Sequence, residues 1–366
     1  MKSTNTIHPF AQNLATARKF AGLSLSDLAE RIEVSKQTIN KYENGELNPS
    51  MKKVYALAEA LELDAEDFFK EANEERFFMR QFEIQDISFK SFQEVRFREG
   101  SNIPTDLVER VKTTAMTEFL NYEELLGLTN YHIKFKNPIK KMEIKNKYDA
   151  EEAALKVRKT WKLGNNPLSS VISILENQGV RVIEVFESID FEGLSAKIQN
   201  IPIIVVNRGI EEVTRRRFTA LHELGHLILE IDEEVLEYDD IERICDSFAG
   251  AMLMPKELLF IELGDHRTKI SKKELVTLKE KYGISVRAIL VSAAFAKILP
   301  WDDYHDLKFQ IGYDSDLGKF FGDEKPRKFH QILLRGLVEG KVARSRASEL
   351  SGWSKSKVRE FAENYV

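Results

Sequence analysis

The chain has 366 residues, which is longer than an ordinary single domain and predicts two or three domains. Its formal net charge of −5 excludes a uniformly basic nucleic-acid coat protein, although a DNA-binding face needs only a local patch of positive charge. Its single cysteine, Cys245, excludes an intrachain disulfide, and the sequence shows neither a signal core nor an uninterrupted membrane span, so we expect a cytoplasmic protein outside the membrane.

The first part of the chain, residues 13–69, predicts a run of short helices. Apolar residues recur there at helical spacing, and glycines and the Asn48-Pro49 pair separate the helices. Ser24 and Ser35 stand where N-cap residues are expected, so residues 24–42 fit two helices joined by a tight turn.

The second helix of this pair, Lys36–Glu43, is the candidate recognition helix. A recognition helix presents its N-terminal side chains to the major groove of DNA. Gln37 and Asn40 can pair with adenine edges, Lys36 can reach guanine or phosphate, and Lys41 is a candidate phosphate contact. We therefore predict DNA as a partner.

The same segment resembles the Xre, or Cro/C1-type, helix-turn-helix family. The resemblance rests on Leu28-Ala29, Val34-Ser35, Thr38-Ile39, Tyr42-Glu43-Asn44-Gly45 and Asn48-Pro49-Ser50. Leu25 departs from the family pattern, which often has a phosphate-binding glutamine there. Glu33 replaces the usual glycine of the turn, at a cost of about 1 kcal/mol if its φ is positive. The alternative interpretation is a helical protein-interaction module that does not bind DNA.

The middle of the chain changes from helical to strand periodicity and back again. Residues 81–100 alternate apolar and polar side chains and are ambiguous between helix and strand. Beyond them we predict helices over Pro104–Gly127, Ala150–Trp161, Val171–Gln178, Glu211–Glu230 and Ile241–Leu253, with strands over Val180–Phe186 and Ile198–Val206. The acidic run from Asp232 to Asp240 is interpreted as a solvated loop rather than as a set of ligands.

The pentapeptide His222-Glu223-Leu224-Gly225-His226 is the strongest chemical signal in the sequence. On a helix its two histidines share a face, so both imidazoles can reach one ion. Zinc accepts such a pair together with one carboxylate and keeps a fourth position for water. Glu223, next to the first ligand, is the candidate general base that takes a proton from this water. The alternative is a pair of structural histidines without a metal.

A third zinc ligand has to come from outside the pentapeptide. Residues Glu237–Asp246 contain the candidates, and we favour Glu242. Asp246, four residues later on the same helical face, can accept a hydrogen bond from the outer nitrogen of a ligand histidine. Cys245 is interpreted as a small buried residue.

Residues 150–300 resemble the ImmA/IrrE family of metallopeptidases. The resemblance rests on Arg217–His226, on Asp246-Ser247-Phe248-Ala249 and on Leu253-Met254-Pro255. It implies a small zincin-like domain, a zinc ion, and peptidase activity on regulatory proteins, and it maps the third ligand onto Glu242. Ile244 and Cys245 depart from the glutamate and alanine expected in this block.

We predict a mainly α, multidomain protein with an all-α helix-turn-helix domain and an α+β zincin-like domain that contains a small sheet. The predicted segments are the helix-turn-helix domain over residues 1–72, a helical connector over 73–149, the metallopeptidase domain over 150–300 and a basic helical segment over 301–366. Residues 325–366 hold ten basic and four acidic groups. Lys341–Phe361 fits either a second helix-turn-helix-like pair around Gly352 or a solvated helical cap, and the cap is favoured.

The leading functional hypothesis is a DNA-binding regulatory zinc metallo-endopeptidase that cleaves a regulatory protein encoded nearby, in a stress response. The first alternative is a DNA-binding repressor or antitoxin whose metal domain is a sensor or structural module without proteolysis. The second is a pure protein-interaction module. The sequence leaves a homodimer open.

Overall fold

The computed structural model describes residues 9–20, 23–61, 65–69, 93–96, 105–187, 191–231, 236–312 and 317–363. It divides into two compact units. Unit 1 comprises Met1–Ser88, Asn121–Tyr131 and His330–Val366, and unit 2 comprises Phe89–Leu120 and His132–Phe329. The boundaries at residues 72, 149 and 300 stay predictions.

Helices dominate both units, as the predicted fold class requires. The part of the chain described here forms α1 (Pro9–Phe20), α2 (Leu25–Arg31), α3 (Lys36–Glu43), α4 (Met51–Ala60), a 3₁₀ helix (Ala65–Phe69), α5 (Thr105–Thr129), α6 (Lys147–Thr160), α7 (Val171–Asn177), α8 (Val213–Ile228), α9 (Tyr238–Leu253), α10 (Lys256–Leu263), α11 (Lys272–Tyr282), α12 (Val286–Phe295), α13 (Trp301–Ile311), α14 (Lys328–Val338), α15 (Arg344–Ser351) and α16 (Lys355–Glu363). The mainly α, multidomain prediction is confirmed. Among these residues, no helix has both the length and the apolar character that crossing a membrane requires.

Within the described residues of unit 2, short strands form two small sheets. The strands are β1 (Gln93–Arg96), β2 (Glu143–Ile144), β3 (Arg181–Val185), β4 (Gly193–Ile198), β5 (Ile201–Asn207) and β6 (Glu230–Ile231). The larger sheet has the order β1-β4-β5-β3, with β3 parallel to β5 and the other neighbours antiparallel. The strand β1 lies inside the segment that the sequence left ambiguous.

The strand predicted over Ile198–Val206 is in fact two strands. Ile198 ends β4 and Ile201 begins β5, so the prediction of one continuous strand was wrong. Gln199 and Asn200 between them have φ of 50° and 65°, the left-handed values that a tight two-residue hairpin needs.

The first helices of unit 1 enclose a small apolar core. Leu14, Leu28, Ile39, Leu57 and Phe68 are all fully buried, one from each of α1, α2, α3, α4 and the 3₁₀ helix. Burial of one apolar face per helix is what the helical periodicity of residues 13–69 predicted.

Capping and a partly buried ion pair fix the predicted recognition helix α3. Ser24 and Asp27 form a capping box at the start of α2, and the Ser35 hydroxyl caps α3 by accepting from the Thr38 backbone amide at 3.1 Å. The Arg18 guanidinium of α1 donates to the Glu43 carboxylate of α3 at 2.6 Å and 2.9 Å. These contacts hold α3 at both ends.

Helix α8 is the central element of unit 2. It packs against β4 and β5 on one side and against α9 on another, and α9 also packs against α6. Leu221, Leu224 and most other residues of α8 are buried. Apolar residues on several faces of α8 therefore leave its polar side chains few directions in which to point.

A buried ion pair anchors α8 to a distant part of the chain. The guanidinium of Arg217 pairs with the carboxylate of Glu324, and both side chains are fully buried. Glu324 also accepts from the backbone amides of Val171 and Ile172 at 3.0 Å and 2.9 Å, which satisfies the N-terminus of α7. Loss of either ion-pair partner would leave a buried charge, so the pair fixes α8 relative to α7.

Helix α9 begins three residues earlier than Ile241, the predicted first residue. It includes Asp239 and Asp240 in its first turn, where carboxylates interact favourably with the positive end of the helix dipole. The acidic run interpreted as a loop is therefore partly helical, and residues 232–235 of that run lie outside the described residues.

Candidate metal centre and recognition helix

The two histidines of the pentapeptide converge on one point beside α8. The Nε2 atoms of His222 and His226 lie 3.0 Å apart, with the ring planes at 74° to each other. Two nitrogen ligands of a tetrahedral zinc ion at 2.0–2.1 Å would be about 3.3 Å apart. The spacing that helical geometry predicted is therefore close to what one ion requires.

The third candidate ligand is a carboxylate on α9. The Glu242 carboxylate lies 3.2 Å from His222 Nε2 and 3.1 Å from His226 Nε2, one oxygen facing each ring. One candidate ligand atom from each of the three residues lies within 4.8 Å of the others. Two imidazoles and a carboxylate form a donor set that zinc commonly takes, so these residues fit the metal.

Each of the two candidate ligand histidines has a partner on α9 for its outer ring nitrogen. His222 Nδ1 lies 2.8 Å from Asp246 Oδ1, where the sequence placed an orienting carboxylate. His226 Nδ1 lies 3.4 Å from Cys245 Sγ, a contact that sequence reasoning missed. The sequence signal for this contact was that Cys245 directly precedes Asp246, because both residues then lie near the side of α9 that faces α8. Such partners fix the tautomer and orientation of a ligand ring.

Gly225 allows α8 and α9 to approach closely enough for these contacts. A Cβ atom at this position would lie 3.3 Å from Cys245 Sγ and 3.4 Å from Cys245 Cα. A larger side chain would push α9 away and would carry Glu242 with it. The fourth residue of the pentapeptide thus serves packing.

The histidines and carboxylates of the cluster stabilise one another's charged forms. Burial alone would disfavour protonated His222, but hydrogen bonds to Asp246 and Glu242 and the nearby Glu223 carboxylate raise the pKa of His222 to about 10. Burial also opposes ionised Glu242, yet hydrogen bonds from His222 and His226 hold the pKa of Glu242 far below its ordinary value. The site therefore favours a cation beside Glu242.

Glu223 lies beside the three candidate ligands. Its side chain is buried, and Oε2 has no hydrogen-bond partner among the described residues. A buried carboxylate oxygen without a partner is costly, so such a group commonly has a chemical role or an additional partner. This position is the one that the sequence assigned to a general base.

A cleft adjoins the cluster at Asp246. Its volume is about 1030 Å³, and it is lined by apolar side chains that include Phe218, Met254 and Phe295, with Arg215 and Arg243 among its charged residues. A cleft of this size can hold an extended peptide segment.

The predicted DNA-contacting residues all lie on the exposed side of α3. Lys36, Gln37, Asn40 and Lys41 are exposed, whereas Ile39 and Tyr42 of the same helix are buried. Nearby on α4, the Lys53 ammonium donates to the Ile32 carbonyl at 2.6 Å. It caps the end of α2 instead of standing free.

The fold and the cluster together define a helix-turn-helix protein that also carries a metallopeptidase-type domain. Family models identify both parts: residues 14–68 match the helix-turn-helix family, and residues 175–294 match the IrrE N-terminal-like domain of a peptidase family. The chain thus joins an Xre-like helix-turn-helix domain to an ImmA/IrrE-type domain, and both predicted resemblances are confirmed. The second match includes the three candidate ligands. It also includes Glu223, Cys245 and Asp246. No curated protein matches the chain with significant similarity.

Proposed function

We propose that this protein is a DNA-binding regulatory zinc metallo-endopeptidase that cleaves a partner regulatory protein. The observation that carries the proposal is the convergence of His222, His226 and Glu242 within 4.8 Å, beside the buried Glu223 carboxylate. Binding to chromosomal DNA would place this activity in the cytoplasm.

In this proposal His222, His226 and Glu242 hold the zinc ion. Bound zinc supplies Lewis-acid chemistry, which polarises water and the carbonyl of the bond to be cleaved. Asp246 and Cys245 hold the two imidazole rings in orientation through their Nδ1 atoms.

Glu223 moves the proton. Its Oε2 atom would accept a proton from the attacking water and deliver it to the leaving amine nitrogen. The cleft beside Asp246 would hold the substrate chain, and its apolar walls would exclude water around the bond.

Helix α3 would direct this activity to particular DNA sites. Gln37 and Asn40 would contact bases, Lys36 would contact guanine or phosphate, and Lys41 would contact phosphate. Attachment to DNA raises the local concentration of any regulator bound nearby, to about millimolar for a short connection. A weakly selective peptidase could then act specifically because of its location.

The enzymatic part is tested with Glu223→Gln. Wild type and variant, purified without added metal, should both contain about one zinc per chain by elemental analysis. Only wild type should cleave one of the regulators encoded beside its gene, as followed by mass spectrometry with and without operator DNA. Glu280→Gln, which alters an exposed glutamate of α11, is the matched control and should cleave like wild type.

Three results would overturn the proposal. Absence of zinc from the wild-type protein would contradict the proposed metal site. Full zinc retention after His226→Ala would contradict it as well. If the regulators keep identical intact masses with wild type and with Glu223→Gln under all conditions, the proposed peptidase activity is contradicted. A repressor or antitoxin with a sensor domain would then be favoured.

The DNA-binding part is tested separately. Gln37→Ala combined with Asn40→Ala should abolish selective binding and preserve the fold, since both side chains are exposed. Each lost base contact should cost about 1–3 kcal/mol. Unchanged operator affinity in a gel-shift assay would exclude α3 as the recognition helix.

A further inference from the structure

The last three helices form a second small helical cluster in unit 1. Leu333 of α14, Leu350 of α15 and Val358 of α16 are fully buried. The His330 ring of α14 stacks on Trp353 with centroids 4.6 Å apart, and Trp353 meets Phe361 of α16 edge-on at 4.9 Å. Each of the three helices therefore contributes to one core.

The pair α15 and α16 repeats the backbone pattern of α2 and α3. Glu33 follows α2 with a φ of 53°, and Gly352 follows α15 with a φ of 66°. Two residues later a serine caps the next helix in each pair: Ser35 accepts from the Thr38 amide at 3.1 Å, and Ser354 accepts from the Lys357 amide at 3.2 Å.

The match continues into the second helix of each pair. Four residues after the capping serine, a β-branched side chain is fully buried: Ile39 in α3 and Val358 in α16. Three residues further on, each helix carries an aromatic residue, Tyr42 or Phe361. A left-handed turn, a serine cap and a buried branched residue at fixed spacing therefore occur twice in unit 1.

The outer face of α16 carries positive charge. Lys355, Lys357 and Arg359 are exposed, and Arg344 of α15 is exposed as well. Residues 341–363 hold six basic and three acidic side chains. The first half of α16 is basic and its two glutamates lie in the second half, so the positive charge is concentrated where a recognition helix meets the major groove.

We propose that α15 and α16 form a second helix-turn-helix that reads duplex DNA. Ser356 and Arg359 occupy the positions that Gln37 and Asn40 occupy in α3, and Lys355 occupies that of Lys36. An arginine at a base-reading position pairs with guanine, whereas Gln37 and Asn40 suit adenine. The two helix pairs therefore recognise unlike sequences, and the protein selects a composite site with two different elements.

The test selects duplexes from a random pool with the full-length protein and maps each element. Ser356→Ala combined with Arg359→Ala should remove selection at one element and weaken binding to the composite site by about 10-fold or more. Gln37→Ala combined with Asn40→Ala should remove selection at the other. The substituted side chains in α16 are exposed, and circular dichroism will confirm that the helices remain.

A second pair of variants tests the charge independently. Lys355→Ala with Lys357→Ala should lower the dependence of log affinity on log salt concentration by about 2, because two phosphate contacts are lost. Lys272→Ala with Lys273→Ala removes two exposed lysines from α11 of unit 2 and should leave this dependence unchanged.

Two outcomes would overturn the proposal. One is that the selected duplexes contain a single element. The same conclusion would follow from two identical elements if selection at both is lost with Gln37→Ala and Asn40→Ala, because a homodimer with one reading helix per chain would give that result. The other is equal behaviour of the α16 lysine variant and its α11 control, which would make the three helices a structural cap.

Discussion

The outer ring nitrogens of the two candidate ligands, His222 and His226, contact different partners on one helix. Asp246 can accept a full charge-assisted hydrogen bond from His222, whereas the Cys245 thiol is a weaker partner for His226. The orientation of His222 therefore depends more strongly on its outer contact than that of His226 does.

Asp246→Ala should weaken zinc binding by about 10–100-fold, the range found when a partner of a ligand histidine is removed. Competition against a chelating zinc indicator measures this affinity. Asp239→Ala removes an exposed carboxylate from the same helix and should leave it unchanged. Equal affinity of Asp246→Ala and wild type would show that the hydrogen bond does not orient the ring.

Glu176 couples the stability of unit 2 to pH. Burial raises the pKa of Glu176 to about 7, although the backbone amides of Arg327 and Lys328 donate to its carboxylate. The folded protein therefore keeps this proton at pH values where the unfolded chain has lost it. Its stabilising contribution is complete below about pH 4.5 and is lost as the pH rises to about 7, by at most about 3 kcal/mol.

Glu176→Gln should therefore reduce the loss of unfolding free energy between pH 4.5 and pH 7. Urea unfolding of metal-free protein, followed by fluorescence, measures this loss, and only the pH dependence of the two proteins is compared. Glu152→Gln changes an exposed glutamate of α6 and should behave like wild type. A parallel pH dependence for Glu176→Gln and wild type would contradict the raised pKa.

At the scale of elements, the turn between α2 and α3 contains measurable strain. Glu33 has a φ of 53°, a conformation in which a Cβ atom is unfavourable, so the cost expected from the sequence has its structural basis. Glu33→Gly should stabilise the helix pair by about 1 kcal/mol, because the Glu33 side chain is exposed and only backbone strain is removed. Slower amide exchange in α2 and α3 is the expected result, and faster exchange would contradict it.

Local patterns predicted elements well where the physical cause was local. The helical spacing of residues 13–69, the serine caps and the face shared by His222 and His226 depend on a few neighbouring residues. The hairpin between β4 and β5 was missed although its cause is local, because its turn residues, Gln199 and Asn200, do not include the glycine that usually marks such a turn. The Cys245 contact was missed because it exists only when α9 packs against Gly225.

At the scale of the whole molecule, all the candidate ligands belong to unit 2. Removing zinc should therefore destabilise α8 and α9 and leave α1–α4 unchanged. A ligand stabilises the folded state that binds it, by about 4 kcal/mol when the free ligand concentration is a thousand times the dissociation constant. Hydrogen exchange with and without a chelator should show faster exchange in α8 and α9 only. An equal change in α1–α4 would contradict the confinement of the effect to unit 2.

Local sequence patterns could not predict which stretches of the chain make up unit 1. Its three stretches are far apart in the chain, and contacts such as the Arg346–Glu124 ion pair and the Lys341 ammonium on the Thr129 carbonyl join two of them. No periodicity or cap encodes such pairings, because they depend on how complete helices pack. The sequence therefore predicted a basic helical segment at residues 301–366 without the partners against which its helices pack.

The discontinuity of unit 1 has a consequence for vectorial synthesis on the ribosome. Residues up to Ser88 emerge early, but His330–Val366, which complete the same unit, emerge only after Phe329. Residues of unit 2, including α8 with its pentapeptide, thus leave the exit tunnel before unit 1 can close. A nascent chain can therefore begin to pack α8 against α9 before unit 1 can close, so the order of translation would let the candidate metal centre and the two proposed DNA-reading helix pairs mature at different times.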